Sequence, residues 1–223
     1  MVLLIIFSLG GSLIVPDEID VEFLKRFKEI ILKSDERFAL ICGGGKICRR
    51  YQEAASKISD LNNEDLDWLG IASTKLNAFL IKTIFKGYAY PEVIDDPTQP
   101  VDFKEKVIVA AGWKPGCSTD KDAVLLAKNL GAKTVVNLSN IDYVYDKDPK
   151  KFDDAKPLKR ISWNDFQNIV GEKWDPGLNA PFDPVASKEA KELGLKVVIL
   201  NGKNIRNIED YLAGKDFVGT IIE

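Results

Sequence analysis

Short apolar runs and longer amphipathic segments alternate along the chain. The apolar runs have almost no polar alternation, which is typical of parallel strands covered on both faces. The segments between them repeat apolar residues at helical spacing, and residues 20–33 show this most clearly. The predicted strands are residues 2–9, 38–42, 107–111, 133–138 and 196–200, and the predicted helices are residues 20–33, 46–58, 67–85, 121–130, 162–170, 183–193 and 208–212.

This alternation of strand and helix predicts an α/β protein with ligand loops at the carboxyl ends of parallel strands. Residues 90–102 contain three prolines and are predicted to form a loop-rich connection. Residues 174–181 are also predicted as loop, and residues 217–222 as a strand at the edge of the sheet.

Glycine turns follow the first two predicted strands directly, at Gly10-Gly11-Ser12 and at Gly43-Gly44-Gly45. Glycine lets a backbone approach a ligand closely, and a helix start offers free N–H groups to an anion. Lys46 and Arg49 lie one helical turn apart and add positive charge beside the second turn. The pattern favours a phosphate cradle, and a tight turn with exposed basic residues is the structural alternative. The Gly-x-Gly-x-x-Gly and P-loop fingerprints are both absent.

Two further loops carry ligand-type residues. Residues 112–120 combine two glycines, a lysine, two hydroxyls and Asp120 just before a predicted helix, a composition that suits a second anionic group. Ser118 or Thr119 could instead simply cap that helix. Residues 139–150 combine aromatic and polar groups, which is reasonable for a nucleoside pocket. They lack the glycine and the distal glutamate of a helix-flanked calcium loop.

Composition removes several classes of chemistry. The 31 Lys and Arg residues against 34 Asp and Glu give a net charge of −3, which argues against a nucleic-acid surface. The absence of histidine excludes Ser-His-Asp catalysis and most catalytic zinc sites. Three cysteines do not indicate a disulfide scaffold. No stretch reaches the roughly 20 apolar residues of a membrane span, so we expect a cytoplasmic protein with no membrane partner.

The ordered set of motifs resembles the amino acid kinase superfamily, and within it the uridylate (UMP) kinases of the archaeal type. The motifs are the two glycine turns, the loop from Pro115 to Asp120, the segment from Ser139 to Pro149, and Asp183-Pro184 with Lys188. The resemblance implies one domain over residues 1–223, folded as a three-layer αβα sandwich with a central, mainly parallel sheet. It also implies phosphoryl transfer from ATP to UMP, Mg²⁺ that accompanies ATP without an assigned protein ligand, and a homo-oligomer, by analogy a hexamer.

The same resemblance assigns roles to individual residues. The residues expected around the ATP phosphates are Gly10, Gly11, Gly45 and Arg49, and those around the ATP nucleoside are Asn140, Tyr145 and Asp148. The residues expected to hold UMP are Gly44, Asp67, Pro115, Gly116, Cys117, Ser118, Thr119 and Asp120. Lys188 would neutralise the transferring phosphoryl group, Asp120 would organise that charge, and Arg49 completes the expected catalytic set.

One departure from the family leaves alternatives open. Many superfamily members carry a lysine at the end of the first strand, where this chain reads Phe7-Ser8-Leu9-Gly10-Gly11. The missing cation would then come from Lys46, Arg49, Lys114 or Lys188. Sister kinases for isopentenyl phosphate, acetylglutamate or carbamate are alternatives on the same fold. A nucleotide-binding regulator without turnover is an alternative of another class.

Overall fold

The computed structural model describes residues 2–171 and 180–223. The predicted loop at residues 174–181 therefore lies outside the described residues except for its last two positions. The strands in these ranges are β1 (Leu4–Leu9), β2 (Arg37–Cys42), β3 (Ala89–Ile94), β4 (Val107–Ala110), β5 (Thr134–Ser139), β6 (Val144–Tyr145), β7 (Pro157–Leu158), β8 (Arg160–Ile161), β9 (Lys196–Asn201) and β10 (Thr220–Ile222). The helices are α1 (Gly11–Ile14), α2 (Val21–Lys33), α3 (Gly45–Ser56), α4 (Asn63–Ile84), α5 (Thr119–Leu130), α6 (Trp163–Val170), α7 (Pro184–Glu192) and α8 (Ile205–Leu212).

Eight of these strands form one sheet in the order β3-β4-β2-β1-β5-β9-β10-β8, and β6 pairs with β7 separately. The strands from β3 to β9 in this order are all parallel to their neighbours. Only β10 runs antiparallel to β9, and β8 is parallel to β10. The sheet is therefore mainly parallel, as the apolar runs predict.

Each central strand supplies side chains to two hydrophobic cores because successive side chains point to opposite faces of the sheet. In β1, Phe7 and Leu9 belong to one core and Ile6 to the other. Helices α2, α4 and α8 cover the first core, and α5, α6 and α7 cover the second. This helix–sheet–helix layering confirms the predicted αβα sandwich.

The strand order reverses at β1, and this reversal places the crevice of the fold. The chain goes from β1 to β2 on one side of β1 and later enters β5 on the other side. Ligands of open α/β sheets bind outside the carboxyl ends of the strands at such a switch point. The backbone N–H of Gly10 donates to the carbonyl of Leu138 at 3.2 Å, which holds the end of β1 against the end of β5.

Two predictions of strand position were wrong. Residues 90–102 were expected to be loop, but β3 occupies Ala89–Ile94 and contains Pro91. A proline is tolerated there because β3 is an edge strand, and its pairing with β4 shifts register between Ala89 and Val93. The C-terminal strand was expected at the edge, but β10 lies between β9 and β8. With only three residues, it shows no pattern from which its place inside the sheet could be predicted.

Helix α4 begins four residues before its predicted start, because Asn62 and Asp65 form a reciprocal capping box. With 22 residues it is the longest described helix. In the described ranges, no helix has the length and apolar character needed to cross a membrane. The four-residue helix α1 was not predicted, since so short a segment shows no periodicity.

We predict that Gly11→Ala destabilises the fold by roughly 1–3 kcal/mol, the usual cost of overpacking a buried site. A Cβ on Gly11 would lie 2.6 Å from the carbonyl carbon of Gly43, which is backbone and cannot turn away. Gly70→Ala is the matched control, because its Cβ would meet only side-chain atoms at 3.7 Å and alanine favours the helix. Urea unfolding of both variants measures the difference, and equal stability of the two would contradict the prediction.

Candidate active site

The two glycine turns pack backbone against backbone at the carboxyl ends of β1 and β2. The N–H of Gly43 donates to the carbonyl of Leu9 at 3.0 Å. Gly45 has a φ of +68° and lies so close to Gly11 that neither position has room for a Cβ. The structure thus brings together Gly10, Gly11 and Gly45, the residues predicted around the ATP phosphates.

Helix α4 supports the second glycine turn from one side. The side-chain amide of Asn77 is buried and donates to the carbonyl of Gly43 at 2.7 Å. A Cβ on Gly44 would lie 2.7 Å from the Cβ of Cys48, so this turn also packs closely on α3. Burial raises the pKa of the Cys48 thiol, which keeps it a neutral packing group at neutral pH.

Two of the three basic residues beside this turn bind the same acid. The Lys46 ammonium lies 2.7 Å from a carboxylate oxygen of Asp17, and the Arg50 guanidinium lies 2.5 Å from the same oxygen. The hydrogen bond and charge of Lys46 lower the pKa of Asp17. Arg49 is exposed on α3. Lys46 is therefore held at the glycine turn, and the phosphate role of Arg49 stays a prediction.

Asp120 is the centre of a hydrogen-bonded cluster between β1 and β5. One carboxylate oxygen accepts from the hydroxyl of Ser8 and from the side-chain amide of Asn137, each at 3.2 Å. The other accepts from the backbone N–H of Asp183 at 3.2 Å. Ser8 and Asn137 are register partners on β1 and β5. Asp183 in turn accepts from the hydroxyl of Ser118, so one network joins the sheet to α5 and α7.

The surroundings of Asp120 favour its neutral form. Burial raises its pKa to about 7, and the nearby charge of Asp183 adds to the rise. The N–H of Asp183 and the Ser8 hydroxyl act in the opposite direction, because they stabilise the charged form. Part of the residue is still open to solvent. A cation that approached this open side would favour the ionised form, so the protonation state of Asp120 depends on the charge in the crevice.

Residues 112–118, called here the Trp113 loop, connect β4 to α5. Their backbone N–H groups are held by side chains from other elements. Gly112 donates to the hydroxyl of Thr74 at 2.8 Å, and Gly116 donates to the carboxylate of Asp67 at 2.8 Å. The remaining predicted UMP residues of this region are Pro115, Cys117, Ser118 and Thr119. The structure thus brings Asp67 to the loop with which it was predicted to act.

A second acid, Asp122, lies beneath the Trp113 loop. It accepts from the N–H of Trp113 at 3.2 Å and is only 1% exposed. Its other carboxylate oxygen has no hydrogen-bond partner among the described residues. Burial raises the pKa of Asp122 to about 7. Burial also raises the pKa of the Cys117 thiol, which argues against a thiolate role for that residue.

The residues predicted around the ATP nucleoside lie beyond the end of β5. Asn140 is exposed, and Tyr145 lies half-buried in β6, opposite Pro157 of β7. Asp148 is exposed and accepts from the N–H of Lys150 at 2.9 Å, as expected of a turn residue. The structure places all three after the strand that borders Gly10, and their contact with a nucleoside stays a prediction.

Lys188 is the predicted catalytic residue that the structure does not bring to the cluster. It is exposed in the middle of α7. No hydrogen bond or ion pair joins it to Asp120. Lys114, another candidate cation, lies 3.7 Å from the centre of the Trp113 ring. The role assigned to Lys188 by resemblance therefore stays a prediction without geometric support.

The sequence matches the amino acid kinase family over residues 4–201. A uridylate kinase of Pyrococcus abyssi is 37% identical, and the alignment covers 98% of this chain and 99% of that protein. One from Thermococcus kodakarensis is 34% identical with the same coverage. This chain belongs to the amino acid kinase family.

Solved structures agree with this assignment. The uridylate kinase of Archaeoglobus fulgidus is similar with a TM-score of 0.78 at 30% identity, covering 98% of this chain and 99% of that one. The UMP kinase of Ureaplasma parvum has a TM-score of 0.79 at 19% identity, covering 100% and 99%, and so supports the fold alone. The resemblance and the fold class predicted from the motifs are both confirmed.

Several polar residues of this kinase site were missed from the sequence. Ser8 and Asn137 each interrupt a buried apolar strand near its carboxyl end, and that interruption was the available signal. Thr74 and Asn77 lie on the buried side of α4, where polar residues were an equally readable exception. Asp122 gave no comparable signal, because an acid in the first turns of a helix is usually solvated.

We predict that Asp122→Asn becomes more stable relative to the parent kinase as the pH rises from 4.5 to 8. A folded pKa of about 7 against an unfolded value near 3.8 means that only the folded state keeps the proton in this window, so the parent loses stability there. At roughly 1.4 kcal/mol per pKa unit, the relative gain is roughly 2–4 kcal/mol. Urea unfolding at both pH values measures it.

Asp60→Asn, at an exposed loop position, is the control and should show the same stability difference from the parent at both pH values. A difference for Asp122→Asn that does not change with pH would contradict a raised pKa at this site.

Proposed function

We propose that this kinase transfers the γ-phosphoryl group of ATP to UMP and releases ADP and UDP. The observation that carries the proposal lies at the carboxyl ends of neighbouring parallel strands, where two closely packed glycine turns follow β1 and β2 and the Trp113 loop follows β4. The full-length similarity to proteins named uridylate kinase supports UMP as the acceptor.

The donor side of the crevice is built from backbone. The turns around Gly11 and Gly45 pack backbone against backbone, which brings the starts of α1 and α3 together, and main-chain N–H groups at helix starts suit phosphate oxygens. Lys46 follows directly and brings its charge to the same place. Both side chains of its ion pair with Asp17 are exposed, and water weakens such a pair. A phosphate can therefore compete for this lysine.

The acceptor side is built from the Trp113 loop and Asp67. Asp67 fixes the N–H of Gly116, and Gly116 has a φ of +76°, a backbone conformation that favours glycine. Ser118 caps α5 by accepting from the N–H of Lys121 at 3.2 Å. Free N–H groups and hydroxyls at this helix start suit a phosphate dianion. These contacts support the prediction that this loop holds UMP.

The proposed chemistry does not need histidine. The phosphate of UMP is a nucleophile at neutral pH, so the protein mainly has to align two anions and offset their charge. Asp120 lies between the donor and acceptor sides, and its ties to Ser8, Asn137 and Asp183 fix the spacing between them. Asp120 is therefore proposed to organise the crevice, with Arg49 and Lys188 as the predicted additional charges.

Mg²⁺ is proposed to accompany ATP. Across the described residues, no group of three Cys, Asp or Glu side chains is arranged to hold a metal ion. The ion would then keep most of its ligands as phosphate oxygens and water, as Mg²⁺ does with nucleotides. When bound, it would screen the charge of the ATP phosphates.

The test is a coupled ADP-release assay with Mg²⁺ and ATP, offering UMP, CMP, isopentenyl phosphate and acetylglutamate in parallel. We expect kcat/KM for UMP to exceed that for isopentenyl phosphate and acetylglutamate by at least about 100-fold, because a site built from polar groups rejects acceptors that leave them unpaired. Equal or better turnover of another acceptor would contradict the assignment and leave the fold unaffected.

The same assay separates a kinase from a nucleotide-binding regulator. Asp120→Asn should lower kcat by about 100-fold while the ATP dissociation constant changes little, since the variant loses charge organisation and keeps the glycine turns. A similar loss in Lys188→Ala would support its predicted role, and unchanged turnover would remove it from the catalytic set. ATP binding without turnover in the parent chain would favour the regulator.

We propose that the predicted homo-oligomer forms through α4. Trp68, Leu76 and Phe79 are 51%, 58% and 53% exposed and lie on one face of this helix. The stripe from Trp68 to Phe79 is centred on the middle of α4, so two copies crossing about a two-fold axis would pair Trp68 with Phe79. An antiparallel crossing would also bring the acidic first turn near Lys82 in the last turn of the other copy.

Phe79→Glu should therefore reduce the mass measured by light scattering to that of a smaller assembly, because it places a charge opposite Trp68 in an apolar contact. Phe152→Glu, at an apolar position that is 49% exposed and far from α4, is the matched control and should leave the mass unchanged. A parent protein that is already monomeric would contradict the proposal.

A further inference from the structure

We propose that Asp122 is a positioning residue for the acceptor, which sets the shape of the Trp113 loop through the backbone N–H of Trp113. The identity of the acceptor rests on the proposed function, whereas the contact itself rests on the geometry of α5 and the loop. Asp122 lies outside the residues that the family resemblance assigns to ATP or UMP.

The position of Asp122 in the loop's support is specific. Thr74 and Asp67 hold Gly112 and Gly116 from α4, on one side of the loop. Asp122 holds Trp113 from α5, the helix that the loop itself enters, at 3.2 Å. Ser118 ties the far end of the loop to Asp183 and to the start of α5, but without the Asp122 contact the stretch from Gly112 to Gly116 would be held by α4 alone.

Packing gives no reason for a carboxylate at position 122. Asp122 is 1% exposed, and its sequence neighbours Ala123, Val124 and Leu126 of α5 are fully buried and apolar. One of its oxygens has no partner among the described residues, and an unpaired buried oxygen lowers stability. The hydrogen bond from the Trp113 N–H is the contact that accounts for an oxygen at position 122 despite this loss of stability.

The charge of Asp122 is not what the loop needs. Asp120 and Lys121 of α5, Asp96 of the segment after β3, and Cys117 of the loop face it, so acids already outnumber cations around it. A further negative charge would repel an acceptor phosphate. The required property is an oxygen that accepts from the Trp113 N–H, and an asparagine side chain supplies the same oxygen without the charge.

The experiment compares Asp122→Ala and Asp122→Asn with the parent by calorimetric titration of UMP and of ATP separately. We expect Asp122→Ala to weaken UMP binding about 10-fold and to change ATP binding less than twofold. Asp122→Asn should keep UMP binding within twofold of the parent or tighten it. Hydrogen exchange of residues 112–118 should be faster in Asp122→Ala and unchanged in Asp122→Asn.

Val124→Ala is the matched control, since it removes volume from the same helix without touching the loop. It should leave UMP binding and loop exchange unchanged. Asp122→Val, which fills the site without an oxygen, repeats the test if the alanine variant does not fold. Equal losses of UMP and ATP binding, or no rescue of loop exchange by asparagine, would overturn the proposal. A parent chain that does not bind UMP would refute the proposed function, and loop exchange would still decide the role of Asp122.

Discussion

A single carboxylate, that of Asp120, connects the parts of the crevice. It accepts hydrogen bonds from Ser8 on β1, Asn137 on β5 and the backbone at Asp183, so two strands and the start of α7 share one acceptor. A carboxylate at a largely covered position is costly unless such donors are supplied. The strand ends and the helix start must therefore keep their spacing for the residue to be accommodated, and that same spacing separates the donor and acceptor sides.

The crevice offsets charge in a way that differs from many members of the superfamily. Where a lysine would end the first strand, Ser8 supplies a neutral hydroxyl to Asp120. Burial raises the pKa of Asp120 and so favours its neutral form, whereas the hydrogen-bond donors around it stabilise its charged form. Positive charge lies at the margin, where Lys46 is held beside the glycine turns by Asp17. Backbone N–H groups supply the remaining electrostatic complement.

The supports of the Trp113 loop show how the outer layers contribute to the site. Helix α4 provides Asp67 and Thr74 to the loop and Asn77 to the second glycine turn, so one helix touches both sides of the crevice. Its opposite face carries the exposed stripe from Trp68 to Phe79. A contact made through that stripe would therefore lie across the same helix from the groups proposed to hold both substrates.

The sequence by itself determined the strands and helices with regular apolar patterns, the two glycine turns, and through their order the family and the fold. These features depend on neighbours in the chain, so local periodicity and glycine spacing are sufficient to find them. The predictions for β3 and β10 were wrong. The edge position of β3 lets it contain a proline, and the place of the short strand β10 depends on the strand order of the whole sheet. Only the tertiary structure decided which polar groups meet. Ser8 and Asp120 are separated by 112 residues, and Asp122 bonds a loop that the sequence places before its own helix. The exposure of Lys188 likewise follows from how α7 packs on α5 and α6. Such contacts depend on strand order and helix rotation, which no local pattern encodes.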